Sequence, residues 1–173
     1  MLNHYKFLLN FTLPGHQDDP ERYLSALHDS GCGDAAVEVG QYGMIGVDMT
    51  CAADSAENAV RTAVENVRSA IPGATLVQAG PDLVGLTEMA AIFGFSRQNM
   101  RKYAVGQSGG GRAFPLPVVV GDPSLWHLAE IIAWLKSNTR VQPSEHVMEA
   151  SKAAAKLNFE VETERQSRIL EFS

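Results

Sequence analysis

The chain has 173 residues, of which 45% are hydrophobic, and its formal net charge at pH 7 is −6. This length and composition suit one or two packed globular domains. No apolar run approaches the ~20 residues that a membrane-spanning helix needs. Residues 1–6 lack the pattern of a signal peptide, so we expect a cytoplasmic protein without membrane contact. Cys32 and Cys51 are too few and too far apart for a zinc cluster, and we expect reduced thiols.

The first 80 residues alternate between strand and helix patterns. Large apolar residues at every second position predict a strand over residues 5–13. A helix follows from Asp19-Pro20-Glu21 to the glycines at 31 and 33, then strands over 35–39 and 44–51. A helix over 56–71, with Asp54 as its capping residue, and a strand over 74–77 complete the set. The order β-α-β-β-α-β predicts a ferredoxin-like domain.

This first domain contains no set of residues that demands chemistry. Residues 1–80 have no P-loop, no Gly-x-Ser-x-Gly and no metal-ligand spacing. The predicted fold licenses no function by itself, and binding of a small effector or self-association both stay open. Residues 78–82 are expected to form a short linker to the next domain.

Residues 83–137 carry the most specific functional signal. A short helix over 88–93, with Thr87 as its cap, ends at Gly94, and Ser96 caps a second helix over 97–104. Two short helices joined by a glycine-containing turn are typical of a helix-turn-helix, whose second helix enters the DNA major groove. At about 100° per residue, Met100 and Tyr103 share one side of the second helix, which we expect to be buried.

The other side of the second helix is cationic and contains no acid. Arg and Gln can form bidentate bonds to guanine and adenine, and Lys and Arg also neutralise phosphate. A solvated surface helix is the alternative that this helix alone leaves open. The candidate DNA-binding residues are Gln98 and Arg101 for bases, Asn99 on the border as a weaker candidate, Ser96 for fixing the helix on a phosphate, and Arg97, Lys102 and Arg112 for phosphate contacts.

The residues after this helix predict a wing. A glycine-rich loop over 106–112 precedes a strand over 114–120, a turn over 121–123 and a return strand over 124–126. A helix over 127–137 then carries Leu128, Ile131, Ile132 and Leu135 on one face. The order helix, turn, helix, hairpin, helix predicts a winged helix-turn-helix.

The same segment resembles the winged helix-turn-helix domains of the MerR and excisionase type. The resemblance is carried by LTEMAAIFGFSRQNMRK, FPLPVVV and LWHLAEIIAWL and covers about a third of the chain. It implies that the recognition helix starts at Ser96-Arg97-Gln98 and that Trp126 and Trp134 are packing residues. The loop at Gly109-Gly110-Gly111 is longer than the family pattern. Ordering on DNA and a slack linker are both open interpretations of it.

The charge is unevenly distributed along the chain. Residues 1–85 hold four cations against eleven acids, residues 86–143 hold six against three, and residues 144–173 hold four against six. The basic segment therefore coincides with the predicted helix-turn-helix. Its positive charge is modest, so one copy alone should bind DNA weakly, and two copies are the usual remedy.

Residues 143–173 predict a helical tail. Val147, Ala150, Ala154, Leu157 and Val161 follow the 3-4 spacing of a coiled-coil seam, but the pattern fails at Glu164 and Arg168. Packing on its own domain is therefore at least as well supported as a dimer seam. A strand over residues 159–163 is a further alternative. The family resemblance implies dimerisation through a C-terminal helix.

The sequence thus predicts an α+β chain in three parts: a ferredoxin-like domain (1–80) for dimerisation or for effector or partner binding, a winged helix-turn-helix (83–137) and a helical tail (143–173). The leading hypothesis is a homodimeric, sequence-specific, double-stranded DNA-binding protein that regulates transcription. An antitoxin-like partner-binding protein that uses DNA binding for autoregulation, and an excisionase-like architectural factor that bends DNA, remain alternatives. We expect no enzyme activity, no cofactor and no metal, because no such constellation is present.

Overall fold

Four antiparallel strands form the main sheet of the computed structural model, which describes residues 1–106 and 112–172. The strands lie in the order β2-β3-β1-β4, with β1 and β3 paired along their full length. Their bounds are Asn3–Thr12 for β1, Ala36–Glu38 for β2, Met44–Ala53 for β3 and Thr75–Gly80 for β4. The predicted α+β class is confirmed, and the main sheet is antiparallel.

Strand β1 divides the sheet into an inner and an outer face. Successive side chains of a strand point to opposite faces, so Tyr5, Phe7, Leu9 and Phe11 share one face, and all four are buried. The residues between them lie on the outer face. A shift of one residue in register would exchange the two sets, which the four large apolar side chains make unfavourable.

The inner face is covered first by a broken helical segment. The single helix predicted after Asp19 is instead a 3-10 turn at Pro20–Tyr23, one α-helical turn at Leu24–Leu27 (α1) and a wider turn at His28–Cys32. Asp19 does cap its start by accepting from the Glu21 amide. The last turn departs from an α-helix at Gly31, whose φ of 91° is a left-handed conformation that no α-helix contains.

Helix α2 (Ala56–Ala70) covers the middle of the inner face. Its predicted apolar side is buried, as Val60, Ala63 and Val67 illustrate. The predicted cap was wrong by one residue: Ser55 Oγ accepts from the Asn58 amide, whereas Asp54 accepts from the Asn58 side chain. Both residues are favourable caps, and the sequence alone did not choose between neighbours.

A second hydrophobic cluster forms after the sheet. Strands β5 (Leu83–Val84) and β6 (Trp126–His127) pair with each other. The predicted linker over 78–82 was too long, because residues 78–80 complete β4 and only Pro81 and Asp82 separate the two sheets. Helices α3 (Leu86–Phe93), α4 (Arg97–Ala104) and α5 (Leu128–Asn138) surround the cluster, whose buried members include Met89, Met100, Leu128, Ile131, Ile132 and Leu135.

Helix α6 (Glu145–Leu170) returns to the first cluster. Ala150, Ala154 and Leu157 are buried there, so the 3-4 spaced residues pack on their own chain. The alternative of a strand over 159–163 is wrong, because these residues are helical. Beyond Val161 most side chains are exposed up to residue 172.

Ion pairs join the exposed sides of α2 and α6. Arg61 donates to both Glu57 and Glu160, and Lys156 donates to Glu57 over 2.7 Å. Hydrogen bonds from Lys156 and then Arg61 hold the pKa of Glu57 below its ordinary value. All four side chains are more than two-fifths exposed, so solvent screens these pairs and each adds little stability.

The carboxylate of Asp82 lies where the two clusters meet. It is only 3% exposed, and its Oδ2 accepts from Asn158 Nδ2 over 2.8 Å. Its Oδ1 is 2.6 Å from His127 Nδ1, and this nitrogen must carry the proton because a carboxylate only accepts. The Asn158 amide also bonds both the N–H and the C=O of Ala79. Asp82 therefore links strand β4, the start of α5 and helix α6.

Several site types are missing from residues 1–106 and 112–172. No helix in these ranges is long and apolar enough to cross a membrane, and no three His, Cys, Asp or Glu side chains could together hold a metal. Cys32 and Cys51 are free, and burial raises the pKa of both thiols. A raised pKa lowers the thiolate fraction and with it the reactivity.

Replacing Asp82 should destabilise the chain strongly. In Asp82→Ala, His127 and Asn158 lose their shared acceptor, and hydrogen bonds to a charged group contribute about 1.5–3 kcal/mol each. We expect a loss of about 3 kcal/mol in the free energy of unfolding, measured by urea denaturation at an unchanged m value. Asp34→Ala, the same change at an exposed position, should lose less than about 0.5 kcal/mol. Equal midpoints for the two variants would contradict this role of Asp82.

Candidate nucleic-acid interface

A glycine turn sets the angle between α3 and α4. Gly94 ends α3 with φ of 69°, and the Phe95 amide then donates to Ala90 O over 2.8 Å. This left-handed glycine with a backward hydrogen bond is a common helix C-terminus. The predicted cap at the other end of α3 was wrong: the helix begins after Gly85, whose amide donates to Glu88 Oε2, and Thr87 lies inside the helix.

Helix α4 has the bounds and the cap that the sequence predicts. Ser96 Oγ accepts from the Asn99 amide over 3.1 Å, which satisfies one of the free N–H groups of the first turn. Met100 is fully buried. Tyr103 is half-buried, and its ring meets Trp134 edge-on at 5.4 Å. The predicted inward side of α4 is confirmed.

The opposite side of α4 faces solvent. Arg97, Gln98, Arg101 and Lys102 are exposed, and Asn99 is intermediate, as expected for its border position. Within the described part of the chain, none of these three cations pairs with a carboxylate. Their charges therefore remain available to an anionic partner.

The wing is less regular than the sequence predicts. Instead of strands over 114–120 and 124–126, the structure has one bridge between Val119 and Leu125. Pro115 and Pro117 explain the difference, because proline has no N–H to contribute to a ladder. The turn between the two arms is closed by Ser124, whose hydroxyl donates to Gly121 O. Trp126 pairs with β5 rather than with the other arm of the wing.

Two tryptophans hold the start of the wing. Trp134 Nε1 donates to Arg112 O over 3.1 Å, and Trp126 Nε1 donates to Pro115 O over 3.0 Å. The Phe114 ring lies against both indoles, at 5.0 Å from Trp134 and 6.3 Å from Trp126. Both tryptophans are buried, which agrees with their predicted packing role. The Arg112 side chain is exposed, and the glycines at 109–111 lie outside the described residues.

Helix α4 and the wing turn line one groove. Its volume is about 860 Å³, and Arg97 and Arg101 form one side while Gly121 and Ser124 form the other. Thr87, in the first turn of α3, also lines the groove. Sequence reasoning did not assign Thr87 or Ser124 to the site, because only the folded wing brings residue 124 beside residue 97. Asp122 lies in the same groove and would repel a phosphate that came close to it.

Three comparisons with known proteins found no similar protein. No protein-family model, no curated protein and no solved structure shows significant similarity to this chain. The resemblance to MerR and excisionase domains therefore stays a prediction. The site therefore consists of a short helix, α4, whose cationic side faces solvent, and of the neighbouring wing, whose start is held by two indoles.

The capping bond of Ser96 can be tested against a matched serine. Ser96→Ala should lower the free energy of unfolding by about 1 kcal/mol, because the Asn99 amide loses its acceptor. Ser144 occupies the equivalent position before α6 but makes no side-chain capping bond, so Ser144→Ala should be nearly neutral. Chemical denaturation of both variants measures the difference. A Ser96 variant as stable as the Ser144 variant would show that this cap contributes nothing.

Proposed function

We propose that the chain is a sequence-specific, double-stranded DNA-binding protein that regulates transcription as a homodimer. In this proposal residues 83–137 are a winged helix-turn-helix of the MerR and excisionase kind, and residues 1–80 are a ferredoxin-like domain. The observation that carries it is the exposed side of α4, which presents three cations and an amide and no acid, and these cations pair with no carboxylate among the residues that the structure describes. The buried Met100 on the other side holds this surface in a fixed orientation.

The dimensions of α4 suit a major groove. An α-helix with its side chains is about 10–12 Å across, so α4 fits a major groove about 12 Å wide. Gln98 and Arg101 lie almost one turn apart and would read base edges, with Asn99 at the margin. Ser96 and the free amides of the first turn would meet a phosphate. Arg97, Lys102 and Arg112 would neutralise phosphates.

The small number of cations supports a homodimer. Three phosphate contacts per copy give a salt dependence of only about −2.7 in log K against log salt. Two copies double this value and restrict binding to paired half-sites, separated by roughly 34 Å or a multiple of it. The proposal therefore expects a two-part DNA motif.

A partner-binding function is the second candidate. Leu116 and Val120 on the wing are 83% and 85% exposed, and Val118 and Val119 are also exposed. Clustered exposed apolar side chains are typical of protein-binding surfaces. In this antitoxin-like alternative, DNA binding would serve autoregulation.

An excisionase-like factor would be recognised by bending of the bound duplex.

Arg101→Ala should reduce affinity and relax specificity. A lost bidentate contact to a base corresponds to about 1–3 kcal/mol of binding free energy at that position of the motif. We would select a motif from random duplexes with the wild-type chain and then measure binding of the variant to the motif and to its single-base changes. An Arg101→Ala protein with wild-type affinity and base preference would contradict the assignment of Arg101.

Lys102→Ala should weaken binding to all sequences equally. The slope of log K against log salt should become shallower by about 0.9, because one phosphate contact is lost. Arg68→Ala removes the same charge from an exposed site on α2 and is the control, with no expected change in slope. If Lys102→Ala and Arg68→Ala give the same slope, Lys102 does not contact phosphate.

A further inference from the structure

A second cleft lies between the main sheet and the helix-turn-helix. Its volume is about 850 Å³, within the range of small-molecule sites, which often form between domains. The outer face of β1 and β4 forms its floor. Helix α3 forms one wall with Ala91 and Ile92, and the start of α6 forms the other with Val147. No residue of this cleft is among the candidate DNA contacts.

The apolar part of the cleft is left partly uncovered. Leu8, on the outer face of β1, lines the cleft and is half-buried. Ile92 projects from α3 with 39% of its surface exposed. Val147 on the facing wall is also half-buried. An apolar molecule placed between these side chains would remove their surface from water, which is favourable.

Two amide side chains lie next to each other on the floor. Asn10 and Gln78 are direct partners across β1 and β4, so their Cβ atoms are roughly 5 Å apart. Neither side-chain amide forms a hydrogen bond with another of the described residues, although both are half-buried. Each amide offers two N–H donors and a carbonyl acceptor. Both side chains line the cleft, so between them they offer donors and acceptors to a group that carries both.

The charged groups of the cleft are already engaged. Lys6 Nζ lies 3.0 Å from Asp48 Oδ2. Asp82 is held by His127 and Asn158, and Glu88 accepts from the Gly85 amide. A charged ligand would therefore give up hydration without gaining a free counter-charge from these residues, which is unfavourable. The imidazoles of His4 and His146 are exposed, and His146 meets the Tyr5 ring edge-on.

We propose that this cleft binds an uncharged, largely apolar small molecule whose polar edge is an amide or a nitrogen heterocycle. The polar edge would pair with Asn10 and Gln78, and the apolar body would contact Leu8, Ile92 and Val147. This site differs from the DNA interface in its residues and in the chemistry it recognises.

The position of α3 connects such a ligand to DNA binding. Ala91 and Ile92 contact the cleft, and two residues later Gly94 begins the turn into α4. A ligand that binds more tightly to one relative arrangement of sheet and helices shifts the population of that arrangement. DNA affinity would then change with ligand, and by linkage ligand affinity would change with DNA. This regulatory part rests on the proposed function, whereas the binding site itself does not.

The ligand class can be tested with three probes of one shape. 2-Naphthamide, 2-naphthoate and 2-naphthylmethylammonium share a ring system and differ in charge. They are titrated into the isotope-labelled full chain and followed by NMR. We expect 2-naphthamide to shift the side-chain amide signals of Asn10 and Gln78 and the methyl signals of Ile92. Its affinity should exceed that of either charged probe at least tenfold.

A pair of variants tests whether the side-chain amide of Gln78 contributes to binding beyond the hydrophobic contacts. Gln78→Leu keeps the approximate size of the side chain but removes its donors and acceptor. This variant should lower the affinity for 2-naphthamide at least fivefold. Gln142→Leu changes an exposed amide outside the cleft and should have no effect. Ile92→Asp places a charge on the apolar wall and should abolish binding. The amide spectrum of each variant reports whether the chain is still folded.

The ligand site and the proposed DNA-binding function can fail independently of each other. Failure of all three probes to bind, equal binding of charged and neutral probes, or equal affinity of the Gln78 and Gln142 variants would each overturn the proposed site. Binding of 2-naphthamide without any change in DNA affinity would overturn only the regulatory coupling. A chain that selects no DNA would overturn the proposed function, and the NMR titration would still decide the ligand site.

Discussion

The arrangement of this chain depends on one buried carboxylate. Asp82 is surrounded by protein. The cost of burying its carboxylate is offset because both oxygens are hydrogen-bonded, one to His127 and one to Asn158. The same Asn158 amide occupies the free edge of β4 and satisfies a strand that would otherwise offer open backbone groups. The two clusters are thereby fixed to each other through polar contacts with defined directions, which apolar packing alone does not provide.

The two faces of β1 show how one strand serves two purposes. The inner residues are large and apolar and are sealed by α2 and α6, so they hold the first cluster together. The outer residues are mixed, and α3 and the start of α6 flank that face, which leaves the cleft between them. Residues of α3 line this cleft, and only Pro81 and Asp82 separate β4 from β5.

Local patterns were sufficient for much of the fold. The spacing of apolar residues located α2, α4 and α5 to within one or two residues, and the Ser96 cap and Gly94 turn were read directly from residue type. Prediction failed where backbone chemistry competes with pattern: the valines of the wing favour a strand, but the prolines beside them prevent the ladder. It also failed where partners are distant in sequence. Asp82, His127 and Asn158 meet only in the folded chain, as do the two sides of each groove.

The prolines of the wing have a consequence for how the protein behaves in concentrated solution. Val118, Val119 and Val120 are three consecutive exposed β-branched residues, a composition that favours pairing with strands of other molecules. Pro115 and Pro117 on one side and Pro123 on the other limit the extended segment to a few residues and remove donors from its edge. The prolines that keep this wing from forming a regular hairpin therefore also disfavour aggregation through the exposed valine segment.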